Sequence, residues 1–362
     1  MTRRIGTVVG ACTVVATLAC SASDDALDSA ADANEMRAPI GPVTLAVGGD
    51  AMLGRAFNGL LAADPDYSIW RGTNELLSGT DILAFNLETT ITANEEKWEG
   101  KNWNFRLDPA LSEAAFNAVT RDHGIPTVFA ATANNHALDF NVPGLLETIE
   151  NLDRSDIAHA GSGVDAKAAR KPAIVETTAG VRVAFFAAST VCSCGELSLW
   201  NATAQTPGAW MIRSGDDAGW QQAVDAVREV ANDVDYVVFS LHWGVNYVET
   251  WPVEWMRARG AQLVEAGVDV IYGHSAHHVL PIERVGSSVI FYGTGDFIDD
   301  YSGVEGFRND LSYIGRVSLS PDLPPEIDVI PMRLVHEPGH FAMPLTPGES
   351  DFTTVMAATR LE

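Results

Sequence analysis

Apolar runs along this chain repeatedly stop at polar donors. Val43-Thr-Leu-Ala-Val47 runs into Gly48-Gly49-Asp50, and Asp81-Ile-Leu-Ala-Phe85 into Asn86-Leu87-Glu88. Thr127-Val-Phe-Ala-Ala131 leads to Asn134-Asn135-His136, and Tyr236-Val-Val-Phe-Ser-Leu241 to His242-Trp243-Gly244. Val268-Asp-Val-Ile-Tyr-Gly273 delivers His274, His277 and His278, and Ser288-Val-Ile-Phe-Tyr292 delivers Gly293-Thr-Gly-Asp-Phe297. Short continuous runs of β-branched and aromatic residues read as strands buried on both faces, the signature of a parallel sheet. Between them the spacing predicts helices at Phe57–Leu61, Thr73–Leu77, Asp108 to about Thr120, Val142–Leu152, Asp216–Asn232 and Pro252–Ala266. Pro109 sits at a natural first helical position, and Gly267 is a natural stop. Along the fifth of these helices Trp220, Val224, Val227 and Val230 keep to one side. Ala173–Glu176 and Val181–Phe186, joined by a turn at Ala179-Gly180, read as an antiparallel pair. Leu311–Leu319 and Glu326–Leu334 read as a terminal meander. The alternation of strands and helices predicts a single α/β domain over residues 42–336, followed by a C-terminal extension over 337–362.

The amino terminus has a different pattern. Arg3 and Arg4 precede an uncharged apolar stretch from Ile5 to Leu18, which is too short to span a bilayer and reads as a secretory signal over residues 1–20. It closes on Leu18-Ala19-Cys20, which resembles the bacterial lipobox. Cys20 would then be acylated and would begin the mature protein, as an envelope lipoprotein; plain cleavage near Ala19 with secretion or periplasmic release is the alternative. Residues 21–41, rich in Ala, Ser and Asp, read as a disordered tether. Export implies an oxidising compartment, in which Cys192 and Cys194 are expected to form a local staple of their loop.

Composition narrows the partners. The 48 acidic against 23 basic residues give a net charge of −25, and such a surface repels phosphate backbones, so nucleic acid is excluded as an expected partner. In open α/β sheets ligands bind beyond the carboxyl ends of the strands. Asp50, Glu88, Asn135, His136, His242, His274 and His277 all stand there. Each has a plainer reading alone: Asp50 as a helix cap, the asparagines as turn residues, His242 as a core histidine bonded to backbone. Together they exceed what one divalent ion requires. Mixed oxygen and nitrogen donors suit Mn, Zn or Fe rather than Ca, which takes oxygen only. Two such ions need a bridging carboxylate, for which Glu88 is the expected residue.

Six motifs then carry a family resemblance: Gly49-Asp-Ala-Met-Leu-Gly-Arg55, Asn86-Leu-Glu88, Ala133-Asn-Asn-His-Ala-Leu-Asp139, His242-Trp-Gly244, Gly273-His-Ser-Ala-His277 and Tyr292-Gly-Thr-Gly-Asp-Phe297. In this order, from about Val43 to Tyr301, they resemble the CapA family of bacterial capsule, or poly-γ-glutamate, biosynthesis proteins. The resemblance implies a metallo-dependent phosphatase-like fold, a four-layer αββα sandwich. It implies that Asp50, Glu88, Asn135, His242, His274 and His277 hold two divalent metal ions. By the same likeness His136 is the general acid and Arg55 faces a substrate anion. Departures from the pattern are Met52 in place of a ligating His, Asn246 in place of Glu, Leu280 in place of Gln and Asp296 in place of Asn. Asp296 and the run Asp299-Asp300 are expected either near the site or as a polar loop end.

The function implied is making, exporting or anchoring an anionic polymer such as poly-γ-glutamate, as a hydrolase or transferase working beside capsule-synthesis membrane proteins. A non-catalytic polymer-binding component and a general secreted phosphodiesterase are the rival readings.

Overall fold

The computed structural model describes residues 41–360 apart from 65, 66, 74, 249–251, 302, 322 and 338. The expected signal, Cys20 and all but the last residue of the tether lie outside the described residues.

In chain order the strands are β1 (Val43–Ala51), β2 (Ile82–Leu87), β3 (Thr90–Ile91), β4 (Arg106–Leu107), β5 (Thr127–Ala131), β6 (Ala158–Ala160), β7 (Ser162–Gly163), β8 (Ala173–Glu176) and β9 (Arg182–Ser189). They continue with β10 (Gly208–Ala209), β11 (Tyr236–His242), β12 (Val270–His274), β13 (Ile282–Val285), β14 (Ser288–Phe291), β15 (Asp296–Ile298), β16 (Leu311–Ser320), β17 (Leu323–Val335) and β18 (Phe341–Pro344). The helices are α1 (Ala56–Ala63), α2 (Pro109–His123), α3 (Asn141–Arg154), α4 (Ala166–Arg170), α5 (Asp217–Val230), α6 (Glu254–Ala266) and α7 (Ser350–Ala358).

One sheet has the order β18-β17-β16-β1-β2-β5-β6, with β15 also paired to β1. Its half from β1 to β6 is parallel, and its half from β16 to β18 is an antiparallel meander. The second sheet runs β13-β14-β12-β11-β9-β8, parallel from β9 to β14 with an antiparallel strand at each edge. Alternate residues of the strands fill two different cores, as the period of two requires. Val43, Leu45, Val47 and Phe129 face Phe185, Val238 and Val270 between the sheets, where the rings of Phe129 and Phe185 stack at 4.5 Å. Leu83, Phe85 and Val128 turn outward against α1 and α2, with Phe57, Leu61 and Phe116. Phe186, Phe239 and Ile271 turn outward against α5 and α6, with Trp220, Val224 and Leu263. The layers are therefore α, β, β, α in one domain. Within the C-terminal extension, β18 joins the first sheet and Val355 of α7 lies in the core between the sheets.

The helices end where local chemistry ends them. Asp108 accepts the N–H of Ala110 ahead of α2, Asp216 that of Gly219 ahead of α5, and Gly267 closes α6 in the left-handed region at φ 117°. The helix expected at Thr73–Leu77 is instead a set of turns, with the N–H groups of Leu76 and Leu77 both donating to Thr73 O. Gly79, in the left-handed region at φ 75°, ends the run before a further turn can add to it.

A repeated device fixes strand register. Asp81, Asp235 and Asp269 each stand immediately before a parallel strand and each accept a backbone N–H from the neighbouring strand, from Thr44 (2.7 Å), Arg182 (2.7 Å) and Val237 (2.8 Å). The N–H of each aspartate returns to the carbonyl of the same partner, at 2.9, 2.8 and 2.9 Å respectively. Each pair is a closed clasp at the entry end of the sheet. At the opposite end, close approach demands glycine. A Cβ on Gly49 would lie 1.7 Å from Gly295 O, and one on Gly273 would lie 2.3 Å from Trp243 Nε1 and from Tyr292 O. Gly49→Ala should therefore force β1 away from the turn before β15 and cost about 1–3 kcal/mol of stability, as overpacking does. Urea unfolding measures this, and an unchanged midpoint would contradict the close approach.

Candidate metal centre

Because the parallel strands of both sheets point the same way, their carboxyl ends share one end of the sandwich. Asp50 is the penultimate residue of β1, Glu88 follows β2 directly, and Asn134-Asn135-His136 follows β5. From the facing sheet His242 closes β11 and His274 closes β12, in direct register with each other. The turn after β12 returns the chain through Ser275 at φ 94° and His277 at φ 58°. Non-glycine residues in this region are sparse, and the turn they make brings His277 back to Asp50.

Asp50 is the hub. Its Oδ1 lies 3.2 Å from His274 Nδ1 and 3.7 Å from His242 Nδ1, and it accepts from Asn86 Nδ2 at 2.7 Å. Its Oδ2 accepts the Ser275 N–H at 2.9 Å and lies 3.5 Å from His277 Nδ1. His277 Nδ1 is also 2.7 Å from Asp296 Oδ1. Two groupings result, each compact enough to hold a metal ion: Asp50 with His242 and His274, and Asp50 with His277 and Asp296. The Nδ1 atoms of His242 and His274 are 2.8 Å apart, close enough for one proton or one cation to be shared between them. Ser240 Oγ sits 2.8 Å from His274 Nε2, the kind of outer partner that orients a ligating imidazole.

Glu88 lies beside these groupings. Its Oε1 is 3.9 Å from His242 Nε2 and 3.6 Å from His136 Nε2. The carboxylate common to both groupings is thus Asp50, where the sequence reading gave the shared position to Glu88. Both Glu88 oxygens are buried without a hydrogen-bond partner, as are Asn135 Oδ1, His242 Nε2 and Asp296 Oδ2. Burial raises the Glu88 carboxyl well above its usual range, and the Asp50 charge adds to this. Burial also raises Asp296, reinforced by Asp299 and Asp50. Burial opposes the Asp50 charge too, but hydrogen bonds and charge from His242 and His274 outweigh it and hold that carboxyl well below the usual range. Desolvation pushes His136 down to about 4 and His242 down to about 3, so both are neutral imidazoles at pH 7. Crowded buried carboxyls and neutral imidazoles with bare lone pairs are a donor set for a cation.

His136 is built from a second set of contacts. Its Nδ1 is 2.6 Å from Asp139 Oδ2 and 3.0 Å from Lys101 Nζ, and its ring stacks on Phe105 at 4.1 Å. Lys101, itself buried, also donates to Asn135 O at 2.5 Å, forms an ion pair with Asp139 and lies over the Trp200 ring. The irregular segment 94–107 thus supplies both Lys101 and Phe105. The spacing of His136 and Asp139 repeats that of His274 and His277 and was a usable signal; nothing local marked Lys101. His278 does not join the centre and instead faces Phe307, at 5.0 Å between rings.

Arg55 stands one ring further out, 5.3 Å from the centroids of both Phe105 and Tyr301; the Tyr301 ring is 5.5 Å from that of His277. Its guanidinium is engaged by Asp300, through Nε to Oδ2 at 3.1 Å, through Nη2 to the backbone oxygen at 2.9 Å and in an ion pair with Oδ1. Asp300 therefore already occupies the anion-facing role expected of a ligand at this arginine. Cys192 and Cys194 are paired, as the expected loop staple.

Comparison with known proteins agrees with this architecture. Residues 44–301 match the family described as bacterial capsule synthesis protein PGA_cap. The chain belongs to this family. A probable polyglutamine synthesis accessory protein of Mycobacterium tuberculosis is 37% identical over 241 residues, covering 65% of this chain and 60% of that protein. The capsule biosynthesis protein CapA of Bacillus anthracis is 24% identical over 299 residues (81% of this chain, 67% of the relative). The PGA biosynthesis protein CapA of Bacillus subtilis is 26% identical over 252 residues (70% and 62%). The matched part thus spans about 60% of the length of the mycobacterial relative. All six motifs singled out in the sequence fall within the matched residues of this capsule synthesis family.

Replacing Lys101 by Met would leave Asp139 a buried carboxylate without its counter-charge. Lys101→Met should lose about 3–5 kcal/mol of stability, as breaking one partner of a buried pair does. Chemical denaturation with circular dichroism reads the loss, and a change below about 1 kcal/mol would mean that the pair contributes little.

Proposed function

We propose that this protein is an exported, metal-dependent hydrolase or transferase that acts on an anionic polymer such as poly-γ-glutamate during capsule synthesis, export or anchoring. The observation that carries this reading is the set of buried polar atoms with no partner in the protein: both oxygens of Glu88, Asn135 Oδ1, His242 Nε2 and Asp296 Oδ2. Buried polar groups are ordinarily bonded, and several orphans at one end of the sandwich signal a ligand. Membership in the capsule synthesis family supports the polymer context, and the names of the relatives point to capsule and polyglutamate-type polymers.

Asp50, His242 and His274 would hold one divalent ion and Asp50, His277 and Asp296 the other, with Glu88 and Asn135 completing the set. When bound, such a pair of ions, Mn, Zn or Fe, activates water near neutral pH and neutralises an anionic group. The protein's own part is positional. Asp139 takes Nδ1 of His136 and leaves Nε2, toward Glu88, as the atom that would pass a proton to a leaving group once the imidazole is protonated. Phe105, Tyr301 and Tyr247 pack around His136 and His277 and keep water away from them. An anionic substrate group that reaches Arg55 competes with Asp300 for its guanidinium.

Elemental analysis of purified protein should find divalent metal, and His274→Ala should lower that content. Full occupancy in His274→Ala would remove the ligand assignment. His136→Ala should keep its metal and lose about 10²–10⁴-fold in turnover of a phosphodiester or γ-glutamyl amide, the usual contribution of a general acid.

The chain is proposed to reach its polymer as a lipoprotein anchored through Cys20, beside the membrane proteins of capsule synthesis. Cys20→Ala should then take up no radiolabelled palmitate, and equal labelling of this variant and wild type would dispose of the anchor.

A further inference from the structure

The segment Val191-Cys-Ser-Cys-Gly195 plays no part in the chemistry proposed above, yet it touches the centre at one place. Ser193 Oγ accepts a hydrogen bond from Asn135 Nδ2 at 3.1 Å. Asn135 is 4% exposed, and its other side-chain atom, Oδ1, is buried without a partner. An amide has two faces of opposite polarity. Fixing the NH₂ on Ser193 turns the carbonyl oxygen away from it, and only that oxygen can be a metal ligand. The backbone of Asn135 is held independently, its carbonyl accepting from Lys101 Nζ at 2.5 Å. Lys101 therefore fixes where Asn135 stands, and Ser193 fixes which way its amide faces.

Ser193 is an exposed residue in a loop without regular secondary structure, so something must keep its hydroxyl in place. The pairing of Cys192 with Cys194 closes a ring that contains Ser193 and little else. The N–H of Cys194 also turns inward, onto Cys192 Sγ at 3.0 Å. Resting on the metal-centre reading given above, we infer that Ser193 is a positioning residue for metal binding and that the Cys192–Cys194 bridge holds it in that role. Reduction of the bridge by an external dithiol consumes two electrons and two protons, opens the ring to two thiols and leaves the reductant as its own disulfide. Freed of the ring, Ser193 releases the Asn135 amide, and the centre binds its ion more weakly. Metal occupancy is thereby linked to thiol oxidation through one serine.

The test is the affinity of the purified, folded protein for Mn²⁺ or Zn²⁺, measured by competition with a chromophoric chelator. Ser193→Ala should bind about 10-fold more weakly, the lower end of what loss of an outer-shell partner costs. Ser193→Thr, which keeps the hydroxyl, should bind as wild type does. Cys192→Ser with Cys194→Ser, and wild type treated with dithiothreitol, should show the same loss as Ser193→Ala. Dithiothreitol should not weaken Ser193→Ala further, because both changes act on one hydrogen bond. Wild-type affinity in Ser193→Ala or in the bridge-less variant, with wild type loaded, would overturn this inference and leave the metal-centre reading standing. Wild-type protein that binds neither ion would overturn both.

Discussion

Two sheets that share no hydrogen-bonded ladder among the described residues meet around one buried carboxylate. Asp50 arrives from the first sheet, and the imidazoles around it arrive from the second or from the turn that follows β12. Every charge at this junction is fully buried, and burial of unpaired charge is among the most expensive features a fold can contain. The protein resolves part of the cost internally: Asn86 and the Ser275 N–H bond to Asp50, and Ser240 meets His274. What it leaves unresolved, at Glu88, Asn135 and Asp296, defines the chemistry that the site can accept.

The surroundings divide into a half built of clustered carboxylates and imidazoles and a half built around His136. In the first half Asp50, His242 and His274 come from strand ends and His277 from the turn after β12, which keeps their polar atoms close to one another. On the other side His136 lies in a sandwich of Phe105 against its face, Asp139 against one nitrogen and Glu88 facing the other. The two halves meet in Asn134, Asn135 and His136. Asn134 bonds Asn86 and the Leu87 carbonyl through its amide and receives the His136 N–H on its oxygen. That single side chain ties the end of β2 to the turn after β5.

Much of this was legible in the chain. Strand runs ending at polar residues revealed the sheet class, because burial on both faces leaves an unbroken apolar run, and the spacing between them revealed most of the helices. The gathering of Asp50, His242, His274 and His277 followed from the same rule, since parallel strands deliver their last residues to one end. What was not legible has a common physical character. Asp296 read equally well as a polar loop end, because a short strand such as β15 leaves little periodicity to place it. Lys101 lies in irregular chain, and only the folded positions of Asp139 and Asn135 show why a buried ammonium is tolerated there. That the two groupings share Asp50, with Glu88 beside them, is a matter of a few ångströms between neighbouring strands. Motif order does not carry that distance. Nor did Ser193 stand out, since its relation to Asn135 spans 58 positions and depends on how a loop folds back.

The aspartate clasps at the opposite end of the sheets bear on the centre without touching it. Side chains alternate in direction along a strand, so a slip of one position exchanges the inward set for the outward set. Were β11 to slide by one residue against β12, Leu241 or Trp243 would stand opposite His274 in place of His242. Asp269 anchors that pairing at Val237, the second residue of a seven-residue strand and so roughly 17 Å from its last residue at the usual rise. A carboxylate that never meets a substrate thus sets the phase of the strand, in the way that a keyed end of a shaft decides where the other end points.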